Sequence, residues 1–455
     1  SKSLFRPLHN SPETTEEHNR ENRRRNSSGN IKALGDNGSG HEVTEDVSMG
    51  TSDHASRKQP KQPRLSTCFH QVGSIVFDSD FDNISSLGSG AFADVFRARL
   101  KADQQYYAVK RNRRQFRGRR DRERALDEIR IMQQLQTVTL SEWKEGSERA
   151  KSSYCLYLLF FIRAWQEDGY LFSQTELCCR DTCSHLMLNL TTNWDASSRK
   201  YPSLLRNLAN TNGSMSEHIT SSQERLVPEN TIWKICHDVA CGLSHIHSHN
   251  IVHHDIKPLN IFFVHHAKLG ALCKIGDFGM AGVIGTSEDG QEGDTAYMPS
   301  ELLTSAVKDP SGDIFSLGLT LYELASAGSW ILPREGNRWH EIRKLSHVPE
   351  LPKCRSSVMV NLIKKMTLPE KSKRPTADEI MMDNPFMRAA PTQEDTFLSE
   401  YVRDVDEHDR REVLKAHLAT NVSPTPMQGR NIPDTNSDRS WNVRTPTPGM
   451  TGFPL

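Results

Sequence analysis

A two-lobed α+β fold is predicted, with a small β-rich lobe first and a larger helical lobe after it. Three observations carry the prediction. Early in the core, Phe96, Ala98 and Leu100 alternate with Arg97 and Arg99, the period of a half-exposed strand. Beyond Pro228 the period lengthens, and Ile232, Ile235, Val239, Leu243 and Ile246 recur at helical spacing. The core signal fades toward both ends, so the core is expected between mostly polar tails.

Residues 1–80 are rich in Ser, Asn, Gly, Glu and Arg, and bury too little surface to offset their ordering entropy; a disordered tail is expected. Arg23-Arg24-Arg25 and Arg57-Lys58-Gln59-Pro60-Lys61 within it read as import patches or as solvated charge. Strands begin at Phe81, and Tyr106-Tyr107-Ala108-Val109 is the next one. A basic stretch from Arg111 to Arg124, solvated or facing an acidic partner, leads into a helix carrying Leu126, Ile129 and Leu135. Residues 136–153 read as a polar connection. The runs Tyr154–Ile162 and Tyr170–Leu177 are two more strands, the first far too short to span a bilayer.

From about 179 to 227 the chain reads as a long polar insertion, of the kind that is functional or disordered. Pro228 opens the first long helix, where a first-turn proline is tolerated. A second buried helix carries Ile314, Leu317, Leu321 and Leu324, with Asp313 expected to accept amide hydrogen bonds at its start. Two further helices run from Ser356 to Met366 and from Thr376 to Met382. The core signal fades after about Pro385, which bounds an expected domain at 81–386 and leaves 387–455 as a mostly disordered tail. Within that tail, Phe397, Leu398, Tyr401, Val402 and Val405 share one helical face, able to pack on the domain or lie on a membrane. Ser423-Pro424, Thr425-Pro426, Thr445-Pro446 and Thr447-Pro448 are candidate sites for a proline-directed kinase.

With 57 basic and 57 acidic side chains, the chain carries no net pull toward nucleic acid or anionic membranes. Nine cysteines without regular spacing fit a reducing, intracellular setting. Cys178, Cys179 and Cys183 lack the second pair that a zinc site needs, and the histidines from His245 to His254 lack supporting carboxylate or thiolate spacing. Neither a signal-peptide core nor a membrane-spanning run is visible, and a monomer is expected.

Five segments carry chemistry. A glycine loop, Leu87-Gly88-Ser89-Gly90-Ala91-Phe92-Ala93-Asp94-Val95, is followed by Tyr107-Ala108-Val109-Lys110. Then come His253-His254-Asp255-Ile256-Lys257-Pro258-Leu259-Asn260, Asp277-Phe278-Gly279 and Pro299-Ser300-Glu301. Each is a weak pattern by itself; in this order and spacing they resemble the eukaryotic protein kinases over Phe81 to about Phe386. That resemblance implies an ATP- and Mg-dependent phosphotransferase, with each residue in a definite role. Gly88 and Gly90 let the backbone approach the nucleotide phosphates, although Ala93 stands where a third glycine is usual, and Val95 covers the adenine. Lys110 holds the α and β phosphates and is oriented by Glu128, with Asp127 as the rival. Asp255 accepts the proton of the acceptor hydroxyl, Lys257 meets the transferring phosphate, and Asn260 and Asp277 are the metal ligands. Thr175 borders the adenine pocket, with Glu176 and Cys178 offering backbone hydrogen bonds, and Glu301 is expected to pair with Arg374.

Within the kinases, four segments resemble the Wee/Myt family of cyclin-dependent-kinase-inhibitory enzymes. His253-His254-Asp255 lacks the arginine most kinases carry before the aspartate, and Glu292-Gly293-Asp294 looks like that family's activation segment. Gly336–Arg343 is similar to its Trp-containing stretch, and Gln174-Thr175-Glu176-Leu177-Cys178 looks closer to the Myt branch. The resemblance implies a Thr-Tyr pair in a cyclin-dependent kinase's glycine loop as substrate, with that kinase and its cyclin as partners. It also implies nuclear or cytoplasmic residence and, from the Myt branch, peripheral endomembrane association, although the spanning segment of that branch is not visible here. Asp294 replaces the threonine expected near Lys257, and dual Thr/Tyr specificity follows by resemblance. His254 replaces an arginine that receives an activation-loop phosphate, so activity without loop phosphorylation is expected. Two other readings stay open: a pseudokinase scaffold, and a kinase of the translation-initiation-factor group, which Asn260–Phe263 and Lys274–Gly279 also resemble. Arg206-Asn207-Leu208 and Arg64-Leu65 are chance-prone matches to a cyclin-docking pattern.

Overall fold

In the computed structural model, the described residues are 75–90, 92–136, 155–211, 225–287, 293–305, 307–326, 332–345, 350–383, 387 and 395–420. The import-like patches, residues 137–153 of the polar connection, Tyr154, Arg64-Leu65, Ala91, Glu292 and the Ser-Pro and Thr-Pro sites lie outside them.

The upper lobe is one antiparallel sheet. Its strands are β1 (Phe81–Ser89), β2 (Ala93–Leu100), β3 (Tyr106–Asn112), β4 (Phe161–Glu167) and β5 (Tyr170–Glu176), in the order β1-β2-β3-β5-β4. The alternation in β2 decides its faces. Ala98 and Leu100 point into an aromatic cluster with Phe81, Trp165 and Phe172, while Val95 and Arg97 take the opposite face of the pleat. Trp165 stacks between Phe81 at 5.9 Å and Phe172 at 5.2 Å, aromatic contacts that add to the area buried. Before the sheet, a short helix α1 (Phe77–Asp80) drops Phe77 into the same cluster. Phe77 thus belongs to the packed body although it precedes the boundary expected at Phe81. A helix α2 (Arg119–Gln134) carries Leu126, Ile129 and Met132 on its buried side, with arginines outward.

The lower lobe is helical, as its periodicity predicts. Helix α6 (Glu229–Ser248) and helix α7 (Pro310–Ser326) form its centre, and nearly every residue of α7 is buried. Around them lie α8 (Gly336–Leu345), α9 (Ser357–Met366) and α10 (Ala377–Asp383). The ladder β7 (Ile261–His266) with β8 (Gly270–Ile275) pairs Ile261 with Ile275, which sets the catalytic-loop end beside Asp277. The two-residue strands β6 (Ile251–Val252) and β9 (Gly282–Val283) pair on either side of them.

Two expectations are corrected. The stretch read as a polar insertion from 179 to 227 is helical up to residue 211: α3 (Cys183–Leu190), α4 (Trp194–Lys200) and α5 (Pro202–Thr211). Each helix is too short to show a period, yet together they bury Leu186, Leu190, Trp194, Tyr201 and Leu204. The region expected to be mostly disordered, 387–455, contains the longest helix described, α11 (Thr396–Thr420). Its apolar face packs on the lower lobe, with Leu398, Tyr401 and Val402 fully buried. Among the described residues, no helix is long and apolar enough to cross a membrane.

Candidate active site

The glycine loop is the β1–β2 turn. Gly90 N–H donates to Ala93 C=O at 2.9 Å, closing the turn, and Ser89 Oγ donates to Asp94 Oδ1 at 2.6 Å. Arg113 Nε also reaches Asp94, at 2.9 Å. Phe92 projects outward, 87% exposed, while Ala93 is buried opposite Asn112. A Cβ added at Gly88 meets nothing within 4 Å, so no packing requires glycine there; the space it leaves suits a ligand passing close to the backbone.

The sheet register puts Lys110 of β3 opposite Val95 of β2 and Ser173 of β5. From that position its ammonium reaches Glu128 of α2 at 2.7 Å and Asp277 at 3.1 Å. Glu128, rather than Asp127, is thus the partner; Asp127 pairs with Arg130 on the outer face. Burial alone would depress the Lys110 ammonium, but the two carboxylates outweigh it and hold the group above its ordinary range. Lys110 in turn lowers the Asp277 carboxyl, against the opposing effect of burial. Asp277 takes a left-handed backbone (φ 63°), rare for a residue with a side chain, and this aims its carboxylate at the lysine.

Asp255 is the hub of the lower side. Lys257 Nζ approaches its Oδ2 at 2.8 Å, Asn260 Nδ2 donates to the same oxygen at 2.8 Å, and Asp294 N–H donates to Oδ1 at 3.1 Å. Two bonds tie this loop to the strand before Asp277: Gly276 N–H donates to Asn260 C=O at 3.0 Å, and His253 Nε2 lies 3.2 Å from Gly276 C=O. His253 Nδ1 accepts from Asp255 N–H at 3.2 Å, which assigns the ring proton to Nε2. Phe278 meets the His253 ring edge-on at 5.1 Å. Lys110, Glu128 and Asp277 are thus one cluster, Asp255, Lys257 and Asn260 a second, and Gly276 joins them.

The set fits magnesium and nucleotide. Asn260 commits its NH₂ to Asp255, which turns its carbonyl oxygen the other way, and the Asp277 side chain is 48% exposed. Two oxygens of that kind suit a hard cation that completes its shell with phosphate. Among the described residues, no group of three His, Cys, Asp or Glu side chains is placed to hold a metal.

The adenine end needs one correction. Glu176 N–H donates to Phe160 C=O at 3.0 Å, and its carboxylate accepts from Phe160 N–H at 2.7 Å and from buried Lys274 at 2.6 Å. Glu176 therefore braces the strand against the lower lobe, and its carbonyl accepts from Thr175 Oγ1 at 3.2 Å. Thr175 and Cys178 flank it, and burial pushes the Cys178 thiol far up, leaving it a neutral wall.

Asp313 also differs from expectation. Instead of accepting amides of its own helix, it reaches across to the catalytic loop, accepting from His253 N–H at 2.9 Å and His254 N–H at 2.8 Å. His247 Nε2 lies 2.9 Å from the same carboxylate. Burial opposes ionisation of Asp313, yet these partners hold it below the usual carboxylate range. The loop between is tight: a Cβ on Gly293 would lie 2.3 Å from His254 C=O, so only glycine passes there.

Arg343, at the end of the Gly336–Arg343 stretch, acts through contacts distant in sequence. It is 1% exposed and donates to the carbonyls of Met298 at 2.6 Å, Ala296 at 2.8 Å and Thr295 at 3.0 Å. Its guanidinium stacks on Trp339 at 3.8 Å, and Trp339 Nε1 donates to Thr295 C=O at 2.7 Å. The spacing of four along α8 sets the two side chains together. Tyr297 hydroxyl donates to Glu323, whose carboxyl burial pushes up to about 7. Glu301 pairs with Arg374 as expected, with one bond at 3.0 Å. Arg206, offered for cyclin docking, is instead paired with Glu400 of α11 at 2.8 Å.

The chain matches the protein kinase domain family over residues 173–387, from within β5 to the end of the lower lobe. A probable protein kinase of Dictyostelium discoideum is 32% identical over 304 residues, covering 67% of this chain and 72% of that protein. This chain belongs to the protein kinase family. It is also similar to a "membrane-associated tyrosine- and threonine-specific cdc2-inhibitory kinase" of Drosophila melanogaster, 29% identical over 73% of this chain and 51% of its own. The mitosis inhibitor protein kinase wee1 of Schizosaccharomyces pombe is 29% identical over 66% of this chain and 31% of its own. The chain thus spans about half and about a third of the lengths of these two relatives.

Proposed function

We propose that this protein kinase uses ATP and magnesium to phosphorylate Thr and Tyr in the glycine loop of a cyclin-dependent kinase, inhibiting it and delaying mitotic or meiotic entry. The observation that carries the reading is the pairing of Lys110 with both Glu128 and Asp277 across the cleft, beside an Asp255 held by Lys257 and Asn260. The names of the fly and fission-yeast relatives support the substrate class.

Phosphoryl transfer asks for positioning and charge neutralisation more than covalent help. Lys110 binds the α and β phosphates, and Glu128 keeps its ammonium aimed into the cleft. Asp277 and Asn260 would hold magnesium, which when bound would neutralise phosphate charge. Asp255 orients the acceptor hydroxyl and takes its proton. Lys257, 17% exposed and between Asp255 and Asp294, faces the charge developing on the transferred group. Asp294 stands 3.8 Å from Lys257 where a threonine is usual, and dual specificity is supported by the tyrosine- and threonine-specific name of the fly relative.

Activity does not depend on activation-loop phosphorylation. His254 is largely buried and burial lowers its pKa, so it offers no fixed cation for a phosphate. Arg343 and Trp339 already hold residues 295–298. Phosphatase treatment is expected to leave activity intact; a collapse reversed by rephosphorylation of the loop contradicts this. The kinase acts as a monomer, in the nucleus or cytoplasm or at the surface of an endomembrane.

The deciding experiment is transfer of radiolabel from ATP to a cyclin-bound, catalytically dead cyclin-dependent kinase, with the labelled residue mapped. Label on the glycine-loop Thr and Tyr is expected. Label elsewhere removes the substrate, and no transfer to any protein leaves a scaffold.

A further inference from the structure

Helix α11 has two halves with different surroundings. The first is sunk into the lower lobe through Leu398, Tyr401, Val402 and Val405. Polar anchors fix it there: Tyr401 hydroxyl donates to Asp181 at 2.6 Å and accepts from Asn189 at 2.7 Å. Ser399 Oγ accepts from Ala271 N–H at 2.9 Å, and Asp404 accepts from Ser203 N–H at 2.7 Å.

The second half rises past the hinge to the upper lobe. Asp409 lies 3.4 Å from Arg97 of β2 and 3.4 Å from Arg180, just after the hinge strand. Arg97 is 11% exposed, stacks on Tyr106 at 4.1 Å, and shares with Val95 the β2 face that covers the nucleotide cleft. Between helix and hinge is a cavity of about 240 Å³ walled by Leu87, Arg97 and Cys178 on one side and Asp406, Asp409 and Arg410 on the other. Leu87 opens the glycine loop, and Cys178 flanks Glu176 at the hinge of the proposed site. One carboxylate therefore touches both lobes at the point where their separation sets the width of that site.

We propose that α11 is a strap closing the mouth of the nucleotide site, and that Asp409 is its positioning residue, holding Arg97 and Arg180 so that the roots of the glycine loop and hinge stay at binding distance. This rests on the nucleotide site proposed above and adds a specificity device to it. A partly buried carboxylate serving two guanidiniums is a coupling that both lobes must satisfy together, and its loss frees the upper lobe while the buried anchors keep the helix in place.

The test uses the full chain and a fluorescent ATP analogue with magnesium. Asp409→Asn is expected to weaken nucleotide binding about five- to tenfold. The KM for ATP should rise in step while kcat stays within about twofold, the split expected of lost ground-state binding. Arg97→Gln should do the same, Asp409→Glu should recover most of the affinity, and adding Arg97→Gln to Asp409→Asn should cost little more. Hydrogen exchange of β1 and β2 should quicken in both single variants while the melting temperature holds. Unchanged affinity in Asp409→Asn and Arg97→Gln, with wild-type protein binding normally, overturns the strap, as do fully additive losses. A wild-type protein that binds no nucleotide overturns the site itself, and the strap's role with it.

Discussion

In the cleft, Lys110 is 29% exposed and Asp277 48% exposed, and water reaches the ion pair between them. In the platform below, Asp313 is fully buried and Arg343 nearly so, and both bind backbone groups of the catalytic loop and activation segment. Exposed pairs contribute little to folding, whereas a buried charge stripped of its partners is strongly destabilising. The cleft is thus assembled for exchange with a ligand, and the platform for holding shape. Residues of equal importance to function should separate cleanly when stability and activity are measured side by side.

Arg343→Ala should give the largest stability loss, about 3–5 kcal/mol, because it strands several buried carbonyls and removes the stack on Trp339. Chemical denaturation checks it; a loss under about 1 kcal/mol puts Arg343 outside the platform. Asp313→Ala should follow at about 2–3 kcal/mol, since two loop amides and His247 lose their acceptor.

The Glu323 carboxyl gives a pH test of the same buried layer. Its folded pKa of about 7 stands above the ordinary value of 4.5, so the folded state holds its proton more tightly. Stability from this group is complete below about pH 4.5 and falls as pH rises to about 7. Glu323→Gln should flatten that slope, a difference of roughly 2 kcal/mol between acid and neutral melts. An unchanged slope excludes Glu323 as the titrating group. Lys110→Met, by contrast, should alter stability by less than about 1 kcal/mol while lowering phosphoryl transfer at least about a hundredfold. If it unfolds the protein instead, the contrast between cleft and platform fails.

The same contrast governs what could be read in the chain. Residues that act through a fixed local pattern, such as Lys110, Asp255, Asn260 and Asp277, were legible because chemistry demands them at set spacing. Strand β2 and helices α6 and α7 were legible from their periods. Residues that act through contacts distant in sequence were not. Asp313 lies 60 positions from His253, and nothing in its own helix announces that it serves another segment. Arg343 is 47 positions from Ala296, and a buried arginine cannot be told from a solvated one by its neighbours. Helices α3 to α5 hid because each spans about two or three turns, and only their packing against one another, the lower lobe and α11 gathers their apolar side chains. Helix α11 did show its apolar face; what it lacked in sequence was the surface that covers it.

The most direct measurement is phosphoryl transfer by Asp255→Asn beside nucleotide binding by the same protein. Asparagine keeps the shape and one acceptor oxygen but cannot take the proton. Transfer should fall about a hundredfold or more while nucleotide affinity stays within about twofold of wild type. Transfer that persists near the wild-type rate would contradict the assignment of Asp255 and the active centre built around it.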